Sequence, residues 1–144
     1  MKNIAVLFVL GLIITGCVYD YFNTSKIKNN SKSDVNIEIL YSKETLENRW
    51  EFKSYIPYLR GFGLDSGAVL INLDTINLIG RYNLRKGVVF DLGMSPGKLP
   101  NFDKLKRVTI IYPDSSSETF SSTKMGEKFK KNDDGEYVWA ITGR

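Results

Sequence analysis

From Lys26 onward the chain alternates apolar and polar positions in short runs and shows no sustained helical period. Val35, Ile37, Ile39 and Tyr41 alternate with Asn36 and Glu38, which predicts a half-buried strand. Lys26-Ile27-Lys28 precedes it, and the polar cluster from Asn29 to Asp34 predicts a hairpin between the two. Residues 68–73, 76–82 and 88–92 read as further strands. Asp74-Thr75 turns between the first two of these, unless residues 68–82 form one long strand with a bulge. Residues 107–112 are rich in β-branched and aromatic side chains and predict a strong strand, with residues 118–121 returning beside it. Asn132-Asp133-Asp134-Gly135 carries the Asp-Gly signal of a tight hairpin turn. The last strand, residues 136–142, puts Tyr137, Trp139 and Ile141 on one face. Two stretches are less regular. Ser42 can cap a short helix with Leu46 and Trp50 one turn apart, whereas Trp50-Glu51-Phe52 alternates like a strand. Pro57 then interrupts, Gly61, Gly63 and Gly67 mark a loop, and residues 93–100 form another. Seven to nine short strands at this spacing predict an all-β fold over residues 26–144, an antiparallel β-sandwich or small barrel.

The N-terminus follows a different pattern. Lys2 supplies a positive charge, and residues 4–14 are almost uninterruptedly apolar. The run is shorter than the roughly 20 residues of a spanning helix but suits the apolar region of an export signal. It ends in Ile14-Thr15-Gly16-Cys17, which resembles the bacterial lipobox: an apolar residue, two small residues and a Cys. The resemblance implies a lipoprotein signal peptide over residues 1–16, cleavage between Gly16 and Cys17, and lipid attachment at Cys17. The sulfur would carry diacylglycerol, and the freed amine would be open to acylation, palmitate being the typical chain. Two or three such chains anchor durably, at about 0.8 kcal/mol per buried methylene. Residues 17–25 then read as the lipidated Cys and a short tether spanning about 15 Å if flexible. Inner-membrane lipoproteins of many Gram-negative bacteria resemble Cys-Asp at this point. Here Val18 follows the Cys and the acid waits until Asp20, which implies the outer membrane, on either face.

Three later stretches resemble small β-sandwich lipoproteins of Bacteroidota. They are Ile27-Lys28-Asn29-Asn30-Ser31 with Asp34-Val35-Asn36-Ile37, residues 102–112, and Tyr137-Val138-Trp139-Ala140-Ile141-Thr142. The likeness covers about half of the mature chain and rests on loose strand patterns. The chain departs from it with Pro113-Asp114-Ser115 in place of an Asp-Gly turn. It implies a sandwich and a location rather than an activity. Asp74-Thr75-Ile76 also resembles the O-glycosylation tripeptide of that group, which marks Thr75 as a possible glycan site.

Composition narrows the chemistry. The formal net charge of +4 is mild and its Lys and Arg residues are scattered, which argues against nucleic acid as a partner. There is no His, so His-based acid–base catalysis and Ser-His-Asp triads are excluded. The one Cys is assigned to lipid, leaving no thiol for catalysis or zinc. Ser95 to Lys98 and Ser121 to Lys124 have the Ser-x-x-Lys spacing of penicillin-binding enzymes, but the companion motifs are absent and both sit in loop-like sequence. Asp133, Asp134 and Glu136 are suitable cation ligands, yet a hairpin turn explains them better. Trp50, Tyr55, Tyr58 and Phe62 cluster around the Pro/Gly loop, where rings serve either core packing or the stacking of a ligand. No catalytic residue, cofactor or metal is assigned. The expectation is a membrane-anchored binding or assembly module of the cell envelope, with its protein or glycan partner open. The alternatives are a glycan-acting enzyme with paired carboxylates and a periplasmic inhibitor or immunity-type protein.

Overall fold

A computed structural model describes residues 22–50, 54–64 and 67–142. Among them nine strands form two sheets. One has the order β5-β1-β9-β8 and the other β3-β4-β2-β6-β7, a sandwich rather than a closed barrel. In the first sheet are β1 (Phe22–Asn29), β5 (Val89–Pro96), β8 (Lys130–Lys131) and β9 (Tyr137–Ile141). In the second are β2 (Val35–Tyr41), β3 (Val69–Asp74), β4 (Ile79–Leu84), β6 (Leu105–Ile111) and β7 (Ser117–Ser121). All neighbouring pairs are antiparallel except β1 and β9, which run parallel with Ile27 opposite Trp139. A parallel pair needs a crossover connection, and here the whole second sheet lies between the two strands in sequence.

The core follows from the alternation. Val35, Ile37, Ile39 and Tyr41 of β2 all face inward and are fully buried. Opposite them, β5 sends Phe90 against Tyr82 of β4, with ring centroids 4.8 Å apart. At the other flank Trp139 of β9 meets Phe120 of β7 edge-on at 4.9 Å. Tyr41 and Tyr82 share a buried hydroxyl–hydroxyl hydrogen bond of 2.6 Å. The Tyr82 ring lies over Gly80, where a Cβ would stand 2.7 Å from it, so the position excludes any side chain.

Several expectations are corrected. β1 and β2 do not form a hairpin; they belong to different sheets, and the chain crosses the sandwich between them. Asn29 makes that crossing. Its buried Nδ2 donates to the carbonyls of Ser33 and Leu84, both at 2.9 Å. Its Oδ1 accepts from the Ser31 backbone N–H at 3.0 Å and the Ser31 hydroxyl at 2.6 Å. The polar cluster is therefore a knotted turn linking two layers. Residues 22–25, expected to belong to a tether, are instead part of β1, which begins at Phe22 and pairs with Pro96. Its inward residues there are Asn23 and Ser25, both buried but polar, so no apolar alternation announces the strand.

Residues 93–96 likewise belong to β5 rather than to a loop. Their pairing with β1 shifts register between Ser25 and Lys26, and Gly93 takes φ +88° at the irregularity, which accommodates the extra residue. Pro96 fits because it ends an edge strand. Strand β4 starts at Ile79, not residue 76: the Asp74 carboxylate accepts the N–H groups of Ile76 and Asn77, each at 2.9 Å, and folds residues 75–78 into a turn. The β3–β4 hairpin, the β6–β7 return and the Asp-Gly turn before β9 form as expected. Ser42 caps helix α1 (Lys43–Arg49), which buries Leu46. The Pro57 loop is instead helix α2 (Tyr55–Gly61), and a third short helix, α3 (Ser122–Met125), follows β7. Pro57 is the third residue of α2, inside the first turn, where a missing N–H costs nothing.

Candidate functional site

Between β2 and β3, the described residues 42–50, 54–64, 67 and 68 add Leu46, Tyr55, Leu59, Phe62 and Ala68 to the core and hold the aromatic cluster. Tyr55 and Leu59 of α2 point into the core and are buried. Phe62 follows, packed edge-on against Tyr41, Tyr58 and Phe90. Gly63 then passes so close to the Phe90 ring, with φ +74°, that a Cβ would stand 2.4 Å from it. Tyr55 and Phe62 are thus structural. Trp50 and Tyr58 form the half-buried rim, stacked at 5.0 Å with an interplanar angle of 25°.

That stack is covered from within the chain. Lys104, in the turn before β6, places Nζ 5.1 Å from the Tyr58 ring and 5.8 Å from the Trp50 ring, and donates to the Tyr58 hydroxyl at 3.4 Å. Burial, followed by the Arg49 charge, pulls the Lys104 ammonium below its ordinary range. Burial also pushes the Tyr58 phenol up to about 12, so it stays a neutral hydrogen-bonding group at physiological pH. Arg49 pairs with Asp103 at 2.6 Å, and Thr45 donates to the Asp103 carbonyl at 2.9 Å, tying α1 to the same turn. A protonated Lys over two rings is an intramolecular cation–π contact, and it occupies a face that a ligand's ring would need.

Beside this cluster lies an open groove of about 400 Å³, lined by Pro57, Tyr58, Gly61, Phe62, Gly63, Asp91 and Gly93. Its volume suits a small ligand. A narrower crevice, which shares Phe62 and Gly93 with it and is also lined by Arg49, Asp103, Ser25 and Ser95, leaves about 30 Å³ free, room for little more than a water. A third hollow, of about 340 Å³ and largely polar, lies at the far flank between Tyr112, Trp139, Lys128 and Lys130. Glu118 and Glu127 both line it, and Glu118 accepts a hydrogen bond from the Tyr112 hydroxyl at 3.3 Å.

The residues singled out from sequence are dispersed. Gly16 and Cys17 lie outside the described residues. Thr75 is exposed in the β3–β4 turn, next to an Asp74 whose carboxyl is held low, chiefly by the Asn77 N–H. Ser95 accepts the Asn101 N–H at 3.0 Å, and Lys98 follows in a bend rather than on a helix. Ser121 does precede a helix and Lys124 lies in it, but α3 is a single turn and the Ser121 hydroxyl is bonded to Thr123 at 2.9 Å. Asp133 and Asp134 sit in the turn where Asn132 and Glu136 bond to each other, and Glu136 is paired with Lys26. Among the described residues no three His, Cys, Asp or Glu side chains gather as a group able to hold a metal. Sequence reasoning missed Lys104, which is distant in sequence from Trp50 and Tyr58, and the hollow of Glu118 and Glu127, whose spacing matches no catalytic motif.

No family model, no curated protein and no solved structure matches the chain. Among the described residues no helix is long and apolar enough to cross a membrane.

Proposed function

We propose that the chain is exported, cut between Gly16 and Cys17, lipid-modified on Cys17 and held at the bacterial outer membrane. There its sandwich works as a binding or assembly module without catalysis. The observation that carries this reading is the run of residues 4–14 ending in Ile14-Thr15-Gly16-Cys17, with Cys17 the one cysteine of the chain. The sandwich supports the second half of it. Its inner aromatics serve the core, its stacked rim is occupied by Lys104, and its ligand-sized groove holds one acid, Asp91, which accepts the Gly93 N–H at 2.6 Å. The test is the mass of the N-terminal peptide after expression in a Gram-negative host. A Cys17 carrying acyl chains, and a Cys17→Ser variant left unprocessed, support the anchor. An unmodified Cys17 refutes it.

A glycan-acting enzyme is the second reading, favoured by one observation: Glu118 and Glu127 line the same hollow as Trp139. A general acid needs an apolar setting that raises its pKa, whereas this hollow is polar and contains Lys128 and Lys130. Hydrolysis of envelope glycan that disappears in both Glu118→Gln and Glu127→Gln would replace the binding reading with this one.

A further inference from the structure

The two ends of the sandwich differ in kind. Seven large apolar side chains stand exposed among the described residues, and four of them are at one end. They are Phe22 at 61%, Met94 at 68%, Leu99 at 70% and Ile76 at 89%. Phe22 opens β1, and Met94 lies opposite Thr24 on β5. Leu99 is in the connection that carries the chain from β5 to β6. Ile76 is in the β3–β4 turn, whose Leu78 carbonyl accepts the Tyr41 N–H at 2.9 Å, while Ser42 next door donates to the Lys104 carbonyl at 2.8 Å. These bonds place the turn, the connection and the start of β1 at the same end. The opposite end carries the turns around Lys32, Lys86 and Asp114 and the start of β3, where Val69 beside Asn83 is the one member of the seven, exposed at 49%.

The apolar end is also the end from which the chain leads to Cys17. Four residues separate Cys17 from Phe22, and the five steps between them reach at most about 17 Å when fully extended. Tyr19 and Tyr21 lie within that stretch, and Tyr is enriched where membranes meet water. We infer that the sandwich seats this end in the lipid headgroup region of the membrane that holds it, with Phe22, Met94, Leu99 and Ile76 entering the interface. The inference rests on the Cys17 anchor proposed above. Single apolar side chains carried on turns and strand ends suit a lipid surface, which needs no shape match. Lys98 beside Leu99 is exposed and supplies a cation for headgroup phosphates. The anchor then sets orientation as well as location, and the end with the Lys32, Lys86 and Asp114 turns faces away from the bilayer.

The test uses the full chain, lipidated in the host and reconstituted into vesicles of phosphatidylethanolamine and phosphatidylglycerol. Met94→Cys, Leu99→Cys and Lys86→Cys each add one thiol, labelled with an environment-sensitive fluorophore. Lipid-borne nitroxide should quench the probes at 94 and 99 roughly twofold more than the probe at 86, because interfacial groups sit about 5–10 Å into the headgroup boundary. Equal quenching at all three sites, with acyl chains confirmed on Cys17, overturns the seating and leaves the anchor standing. Probes quiet in vesicles but shielded in intact cells also overturn it, in favour of a protein partner. A glycan found on Thr75 overturns it too, since a sugar beside Ile76 keeps that turn out of lipid. An unmodified Cys17 removes the anchor and the inference together.

Discussion

β1 and β2 occupy matching places, each an interior strand of its sheet, and each alternates inward and outward residues along its length. What they turn inward differs. β2 presents Val35, Ile37, Ile39 and Tyr41, whereas β1 presents Asn23, Ser25, Ile27 and Asn29, all eight buried. The first strand is held by removing apolar surface from water, a force that any similar side chain can supply. The second is held by partners that must be in the right place, because a buried amide without hydrogen bonds is costly. Equal burial therefore hides unequal tolerance. β2 should accept a change of apolar shape, while β1 should accept almost nothing at Asn29.

The largest effect expected is on the β2 side. Ile39 is fully buried between the sheets, and Ile39→Ala should lower stability by about 3–4 kcal/mol, through lost transfer energy and the cavity left behind. Ile39→Val should cost only about 1 kcal/mol. Urea unfolding of the two variants measures both, and similar losses would mean that β2 is as exacting as β1.

Asn29→Ala comes next, at about 2–3 kcal/mol, since it strips the Leu84 carbonyl and the Ser31 N–H of buried partners. Asn29→Asp should not rescue it. A carboxylate keeps the acceptor for Ser31 but cannot donate to Leu84 or Ser33. If Asn29→Asp proved as stable as wild type, the clamp would owe its strength to its acceptor side alone.

The same contrast explains what could be read from sequence. β2, β6 and β9 declared themselves because their inward residues are apolar, and the Asp-Gly turn because a hairpin there needs Gly135 at φ +83°. The N-terminal half of β1 was hidden by Asn23 and Ser25. Helix α2 was hidden by Pro57, which is tolerated only because it falls in the first turn. The hairpin expected between β1 and β2 failed because the same polar residues serve a hairpin turn and a crossing between layers equally well. What separates them is the distant Leu84 carbonyl that Asn29 finds. The aromatic cluster was legible as residues, but its occupant was not: Lys104 lies 54 positions after Trp50 and 46 after Tyr58.

A smaller effect tests the single polar atom on the inner face of β2. The Tyr41 hydroxyl has Tyr82 as its partner, and Tyr82→Phe should cost about 1–2 kcal/mol by leaving it buried and unpaired. Adding Tyr41→Phe to that variant should cost little more, because the orphaned group is then gone. Additive losses in the double-mutant cycle would show that the two hydroxyls act independently.

The smallest effect is on the outward face of β1, where Lys26 pairs with Glu136 at the start of β9. The hydrogen bond between them holds the Glu136 carboxyl below its ordinary 4.5 and raises the Lys26 ammonium above its ordinary 10.5. The carboxylate's contribution is complete above that ordinary value and is lost as pH falls through the lowered one. The ammonium's contribution is complete below 10.5 and is lost as pH rises through the raised value. Both side chains remain partly exposed, at 27% and 31%, so solvent screening should keep the pair below about 1 kcal/mol. Wild type and Lys26→Met should accordingly differ slightly in urea midpoint near neutral pH, with the gap closing in acid as Glu136 is protonated. A gap as large as that of Asn29→Ala would mean that β1 is held from its outer face, and the distinction drawn between the two central strands would fail.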